Sequence, residues 1–118
     1  EVGEALGDCE IYSKEAFSAF REPTFLKAIR QLNRQQVILM GIEAHVCALQ
    51  TGFDLLDAGY EVHVLSDGVF SRRAENHDLA LQRLEAAGAV LSSVEIALFE
   101  MIRGSSHPAF RTISTLVK

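Results

Sequence analysis

The stretch Val37-Ile38-Leu39-Met40-Gly41-Ile42-Glu43-Ala44-His45-Val46-Cys47 decides how this chain is read. Its first four residues are apolar and β-rich without polar alternation, the pattern of a strand covered on both faces. Gly41 then permits a sharp turn. Beyond it, Val46, Leu49, Phe53 and Leu56 recur at helical spacing and predict a helix over about Ala44–Ala58, closed by Gly59. Working outward, a second strand is predicted at Val62–Leu65, ended by Asp67-Gly68. A second helix follows at about Ala74–Ala87, with Ala80, Leu84 and Ala87 on one face and Gly88 at its end. Val90-Leu91 begins a third strand. Strand, helix, strand, helix, strand at this spacing is the signature of a parallel sheet with right-handed crossovers. The expected fold class is therefore α/β, a three-layer α/β/α sandwich in which the three runs are adjacent parallel strands.

The flanks extend the pattern. Ser92 and Glu95 fit a capping box ahead of a short helix containing Ile96, Phe99 and Ile102, ended by Gly104. His107-Pro108 opens another, with Phe110, Ile113 and Val117 on one face. Upstream, Thr24 is the expected N-cap of Phe25–Arg34, and Cys9–Tyr12 reads as one more short strand. Four strands are fewer than a doubly wound sheet normally has. The chain also opens on Glu1 rather than Met. It reads either as a small four-stranded protein or as the C-terminal portion of a larger domain, with one sheet edge and one face left uncovered.

Composition narrows the function classes. The chain has 118 residues, 48% of them apolar, which permits one domain with a real core and excludes a disordered chain. Eleven basic against sixteen acidic residues leave a net charge of −5, which weighs against nucleic acid and anionic membranes as partners. No apolar run approaches the roughly 20 residues of a membrane span. Two cysteines, Cys9 and Cys47, are too few for a disulfide scaffold, so a reducing compartment is expected: the cytoplasm, with the mitochondrion as the alternative.

Ligands of open α/β sheets bind beyond the C-terminal ends of the strands. The segment from Gly41 to Cys47 lies at such an end. A thiol delivered there at a helix start meets unpaired N–H groups and the positive end of the helix dipole. Those favour a thiolate and can hold an oxyanion, which is what a nucleophile elbow requires. The plainer reading of Cys47 is a buried small hydrophobe, since free cysteine is among the most buried residue types. Cys9, inside the expected strand, reads as inert core. Lys14 follows that strand and precedes Phe17 and Phe20; it is either a solvated loop lysine or one placed to stabilise a nearby thiolate. His63 reads as satisfied core, His45 as pointing away from Cys47, and His77 as part of a charged helix face. No two of the four histidines have metal-ligand spacing, so no metal site and no cofactor are expected. Phosphate-binding glycine motifs and a GxSxG serine are missing from the sequence.

The segments Lys14-Glu15-Ala16-Phe17-Ser18-Ala19-Phe20, Gly41-Ile42-Glu43-Ala44-His45-Val46-Cys47 and Gly59-Tyr60-Glu61-Val62-His63-Val64-Leu65-Ser66-Asp67, taken together, resemble the isochorismatase-like cysteine hydrolases. Leu55-Leu56-Asp57, Ser71-Arg72, Gly88-Ala89 and Ser92–Glu95 are similar to the isochorismatase domain-containing branch in particular. The resemblance implies a larger parallel sheet flanked by helices, and amidohydrolases among the members. By resemblance Cys47 is the nucleophile and Lys14 the active-site lysine. The backbone N–H groups of Glu43 and Cys47 form the oxyanion hole, and the peptide before Glu43 is cis. The family's aspartate lies upstream of its lysine, where nothing here fits; Asp8 stands at the wrong end of its short strand. The resemblance therefore makes residues 1–118 the C-terminal portion of one domain, or a degenerate member lacking its base.

Two functions follow. One is hydrolysis of a small-molecule amide through a thioester on Cys47, with cleavage of an enol ether as the rival chemistry. The other is a non-catalytic fold used for binding or assembly. Both expect a homo-oligomer or a covering segment over the exposed sheet, involving the helices that carry Phe53–Leu56 and Phe99–Ile102.

Overall fold

The apolar runs pair side by side as the spacing requires. The structure, a computed structural model, describes residues 7–118. A 3-10 turn at Ala19–Arg21 leads into α1 (Pro23–Gln31) and β1 (Gln36–Ile42). A π-helical turn at Ala44–Ala48 then runs directly into α2 (Leu49–Asp57). After it come β2 (Glu61–Phe70), α3 (Ala74–Ala86), β3 (Val90–Ser92), α4 (Val94–Ile102) and α5 (Phe110–Leu116). The sheet order is β1-β2-β3 and both pairings are parallel.

Register explains which side chains form the core. Val37 and Leu39 pair with Val62 and Val64, and Leu91 of β3 pairs with Val64. This face packs on α2 and α3, burying Val62, Val64, Leu55, Leu84 and Ala80 almost completely. The two helices are in close contact at Gly52, where an added Cβ would lie 2.5 Å from Leu84 Cδ2. Ala44, Ala48 and Leu49, which flank Cys47, belong to the same buried cluster. On the opposite face α4 covers only the β2–β3 side, burying Leu65, Ser92 and Ala97. Ile38, Met40 and Ile42 remain exposed, Ile42 at 72%. An open groove of about 1570 Å³ lies there, lined by Ile38, His63 and the α4 residues Glu95, Ile96 and Phe99. Coverage on both faces thus holds for β2 and not for β1.

Several expectations are corrected. Cys9–Tyr12 is not a strand; Tyr12 instead packs edge-on against Phe25 of α1, with ring centroids 5.9 Å apart. A strand needs a ladder partner, and this segment lies over a helix rather than a sheet edge. Cys9 is accordingly exposed, not core. Helix α1 starts at Pro23, with Glu22 rather than Thr24 in the cap position, because proline has no N–H to satisfy at the first helical position. It ends at Gln31, short of Arg34. Strand β2 does not stop at Asp67-Gly68. From Leu39 to Gly41 β1 advances two residues while β2 advances five, Val64 to Val69, so β2 bulges and resumes. Side chains satisfy the bulge: Ser66 Oγ donates to Ser92 O at 3.0 Å, and Asp67 Oδ1 accepts the Val94 N–H at 2.8 Å.

Helix α4 is capped by Ser93, whose Oγ accepts the Ile96 N–H at 3.1 Å. Ser92 is spent on β3, which leaves Glu95 one position short of a capping box. The helix ends at Ile102, with Arg103 left-handed at φ 59°, ahead of Gly104. Before α5, His107 Nδ1 accepts the Ala109 N–H at 3.1 Å, so the helix proper begins at Phe110 rather than at His107-Pro108. His63 is half-buried and lines the groove rather than sitting in the core.

Candidate active site

The elbow is built where β1 ends. Gly41 has φ 125°, a backbone region that side-chain-bearing residues rarely adopt. The next peptide, Ile42–Glu43, is cis, as the resemblance implies. The chain then enters the π-helical turn, where Val46 N–H and Ala48 N–H both donate to Glu43 O, at 3.1 and 3.2 Å. Cys47 stands in this turn, half-buried.

Lys14 reaches the same point from 33 residues away. Its Nζ donates to Cys47 Sγ at 3.4 Å and to the carbonyls of Ala16 and Phe17 at 3.1 Å each. The arm carrying it, residues 13–22, has no regular structure before the 3-10 turn and is held by side chains. Glu22 Oε1 accepts the Glu15 and Ala16 N–H groups at 2.8 Å each. Those donors, Ala16 first, hold the Glu22 carboxyl below its ordinary value. Thr51 Oγ1, on α2, accepts the Ala19 N–H at 3.0 Å. One turn on, Asp54 accepts two bonds from Arg21, at 2.8 and 3.2 Å, and the guanidinium draws the Asp54 carboxyl down. The helix that begins at the elbow therefore also grips the arm.

Glu43, whose N–H was the expected oxyanion donor, turns its carboxylate toward an imidazole ring and a guanidinium. His45 Nε2 is 3.4 Å from Oε2 and Arg72 Nε is 3.8 Å from Oε1. His45 Nδ1 meets Ser71 Oγ at 2.9 Å, so its ring is directed to Ser71 and Glu43. Asp8 lies in an exposed turn, and no carboxylate is hydrogen-bonded to Cys47 or Lys14 among the described residues. Nor do the described residues contain three His, Cys, Asp or Glu side chains grouped to hold a metal.

The structure thus brings Lys14 and Cys47 together and places Glu43 at the cis bond. Sequence reasoning missed Glu22, Thr51 and Asp54, because pins between distant segments have no local spacing. Ser71-Arg72 carried a signal only as part of the family resemblance.

A family model described as Isochorismatase domain matches residues 1–96. The chain is 49% identical over 85 residues to the secreted isochorismatase effector Isc1 of Phytophthora sojae, a match covering 72% of this chain and 40% of that protein. It is 42% identical over 110 residues to isochorismatase domain-containing protein 2 of Bos taurus, covering 91% and 52%. Among solved structures, the MAR1 ribonuclease of Caenorhabditis elegans superposes with a TM-score of 0.79 at 40% identity, over 88% of this chain and 53% of that one. The chain spans between 40% and 53% of the length of these relatives. A glycine turn, a cis peptide and a lysine-paired cysteine at the end of a parallel strand, on a chain matched by that family model over most of its length, lead to one conclusion: the chain belongs to the isochorismatase family.

Proposed function

We propose that these residues are the nucleophile-bearing, C-terminal portion of one isochorismatase-family domain, and that the domain hydrolyses the C–N bond of a small-molecule amide. The observation that carries the reading is the 3.4 Å contact between Lys14 Nζ and Cys47 Sγ. An ammonium beside sulfur stabilises the charged nucleophile, and the arm's pins spend four side chains on keeping it there. In the proposed reaction an aspartate, which the resemblance places upstream of Lys14, takes the Cys47 proton. Sulfur attacks the carbonyl carbon and the displaced electron pair moves to oxygen, held by the Glu43 and Cys47 N–H groups. Collapse breaks the C–N bond, the proton passes to the departing amine, and water cleaves the thioester to restore the thiol. Cytoplasmic placement belongs to the same proposal and rests on the two free thiols. No helix of the described residues is long and apolar enough to cross a membrane.

The test is ammonia release from a panel of aliphatic and aromatic primary amides, with intact-mass detection of an acyl adduct on Cys47. Cys47→Ser should abolish both. A structured RNA is the necessary parallel substrate, since the Caenorhabditis relative is named a ribonuclease. The net charge of −5 disfavours RNA here, and RNA cleavage indifferent to Cys47→Ser would reject the amide reading.

A second reading, a non-catalytic binding or assembly module, is favoured by the exposed row Ile38, Met40 and Ile42 along β1. It shares with the first the proposal of a homo-oligomer or a covering segment. Light scattering decides that part: a monodisperse 13.0 kDa monomer, soluble at high concentration, defeats it.

A further inference from the structure

Side chains around the elbow that play no part in the chemistry above are joined in a chain. Ser71, 4% exposed, directly follows β2, and its hydroxyl lies 2.9 Å from His45 Nδ1. The other ring nitrogen faces Glu43 Oε2 at 3.4 Å, longer than a full hydrogen bond. Arg72, largely exposed, closes the chain on the remaining Glu43 oxygen at 3.8 Å. Glu43 and His45 themselves are mostly covered, their side chains 28% and 19% exposed. A Ser–His–Glu chain invites comparison with a hydrolytic triad, but a serine this buried cannot meet a substrate.

One carbonyl, Glu43 O, receives two N–H groups, from Val46 and Ala48, so the placement of the Glu43 peptide is coupled to that of the whole turn. The Glu43 N–H is half of the proposed oxyanion pair. We propose that Ser71 and Arg72, acting through His45 and the Glu43 carboxylate, are positioning residues: they tie the elbow to the end of β2 and so fix the two N–H groups that hold the substrate carbonyl. This rests on the oxyanion role given above to the Glu43 and Cys47 N–H groups. Neither Ser71 nor Arg72 touches substrate in this scheme. A partly covered carboxylate whose partners are no longer held in place would seek water and draw the Glu43 peptide with it.

The experiment compares two thiol probes on the purified protein, read by intact mass and peptide mapping. Acrylamide adds through its β-carbon; negative charge builds on the amide oxygen before the α-carbon takes a proton. Methyl methanethiosulfonate transfers a methylthio group to sulfur and releases methanesulfinate, with no carbonyl involved. Ser71→Ala and Arg72→Ala should each slow acrylamide at Cys47 by roughly three- to tenfold, while the thiosulfonate rate stays within about twofold. Ser71→Thr, which keeps the hydroxyl, should behave as the parent. Because Arg72 is largely exposed, its variant carries the test if Ser71→Ala fails to fold. Equal slowing of both probes, or no change in either, overturns the positioning role. If the parent protein itself shows no greater preference for Cys47 over Cys9 with acrylamide than with the thiosulfonate, the oxyanion reading fails first.

Discussion

The elbow and the arm meet at Cys47 but are held there by different forces. The elbow rests on burial: Ala44, Ala48 and Leu49 belong to one apolar cluster with Leu55, Val64 and Leu84. The arm rests on polar pins, with Glu22 holding the Glu15 and Ala16 amides, Thr51 the Ala19 amide and Asp54 the Arg21 guanidinium. Burial is non-directional and insensitive to pH; carboxylate pins are directional and titrate. The backbone that carries the nucleophile is therefore anchored in the core, with the polar chain from Ser71 to Glu43 adjusting only its N–H groups, while the half that carries the lysine depends on its pins.

The largest effect expected from this contrast is at Leu84. Leu84→Ala removes a fully buried side chain between α2 and α3 and should cost about 2–5 kcal/mol in chemical denaturation. A loss confined to a few tenths of that would mean the elbow does not depend on this core. Next in size is Glu22→Ala. It should leave the melting midpoint far less changed than Leu84→Ala, yet speed amide exchange at Glu15 and Ala16 by roughly tenfold or more. Equal losses of global stability from the two variants would break the distinction between elbow and arm.

Acid sharpens the same comparison. The folded-state carboxyl of Glu22 lies below its ordinary value of 4.5, chiefly because of the Ala16 and Glu15 N–H donors. Its contribution is therefore present above pH 4.5 and is lost as pH falls through the depressed folded value. Asp54, drawn down by Arg21, follows the same sign. Exchange across residues 14–22 should rise on acidification before the strands respond; simultaneous loss of both would contradict it.

The smallest effect has the opposite sign and lies at the β2 bulge. His77 Nδ1 faces Asp78 Oδ1 at 3.0 Å and Nε2 faces Ser66 O at 3.1 Å, so both nitrogens donate only in the charged ring. Asp78 and, more weakly, the Ser66 carbonyl raise the His77 value above 6.5. This hold is complete below pH 6.5 and lost as pH rises through the raised folded value. Exchange at Asp67 and Gly68 should increase over that range, and His77→Gln should flatten the dependence.

Much of the architecture was legible because it repeats locally. Val37–Met40 and Val62–Leu65 advertise strands through continuous apolar character, and glycines mark where the helices after them stop. What was misread were places where two local signals compete. Ser92 and Ser93 both offer a cap, and only pairing of β3 with β2 shows that Ser92 is occupied. Asp67-Gly68 is a turn signal by composition, yet Ser92, His77 and Val94 supply partners that let the strand bulge and continue. Cys9–Tyr12 has strand-like composition, but no local pattern can show that Tyr12 lands on Phe25.

By itself the sequence determined the parallel βαβ order, the place of Cys47 at a strand's end and, through resemblance, the pairing of Cys47 with Lys14. These depend on periodicity and on short motifs, which act within a few residues. Only the tertiary structure decided how Lys14 is held at 3.4 Å from the sulfur, which side chains face the Glu43 carboxylate, and that β1 keeps one face open. Those are contacts between segments far apart in the chain, and they exist because sheet pairing and core packing bring the segments together.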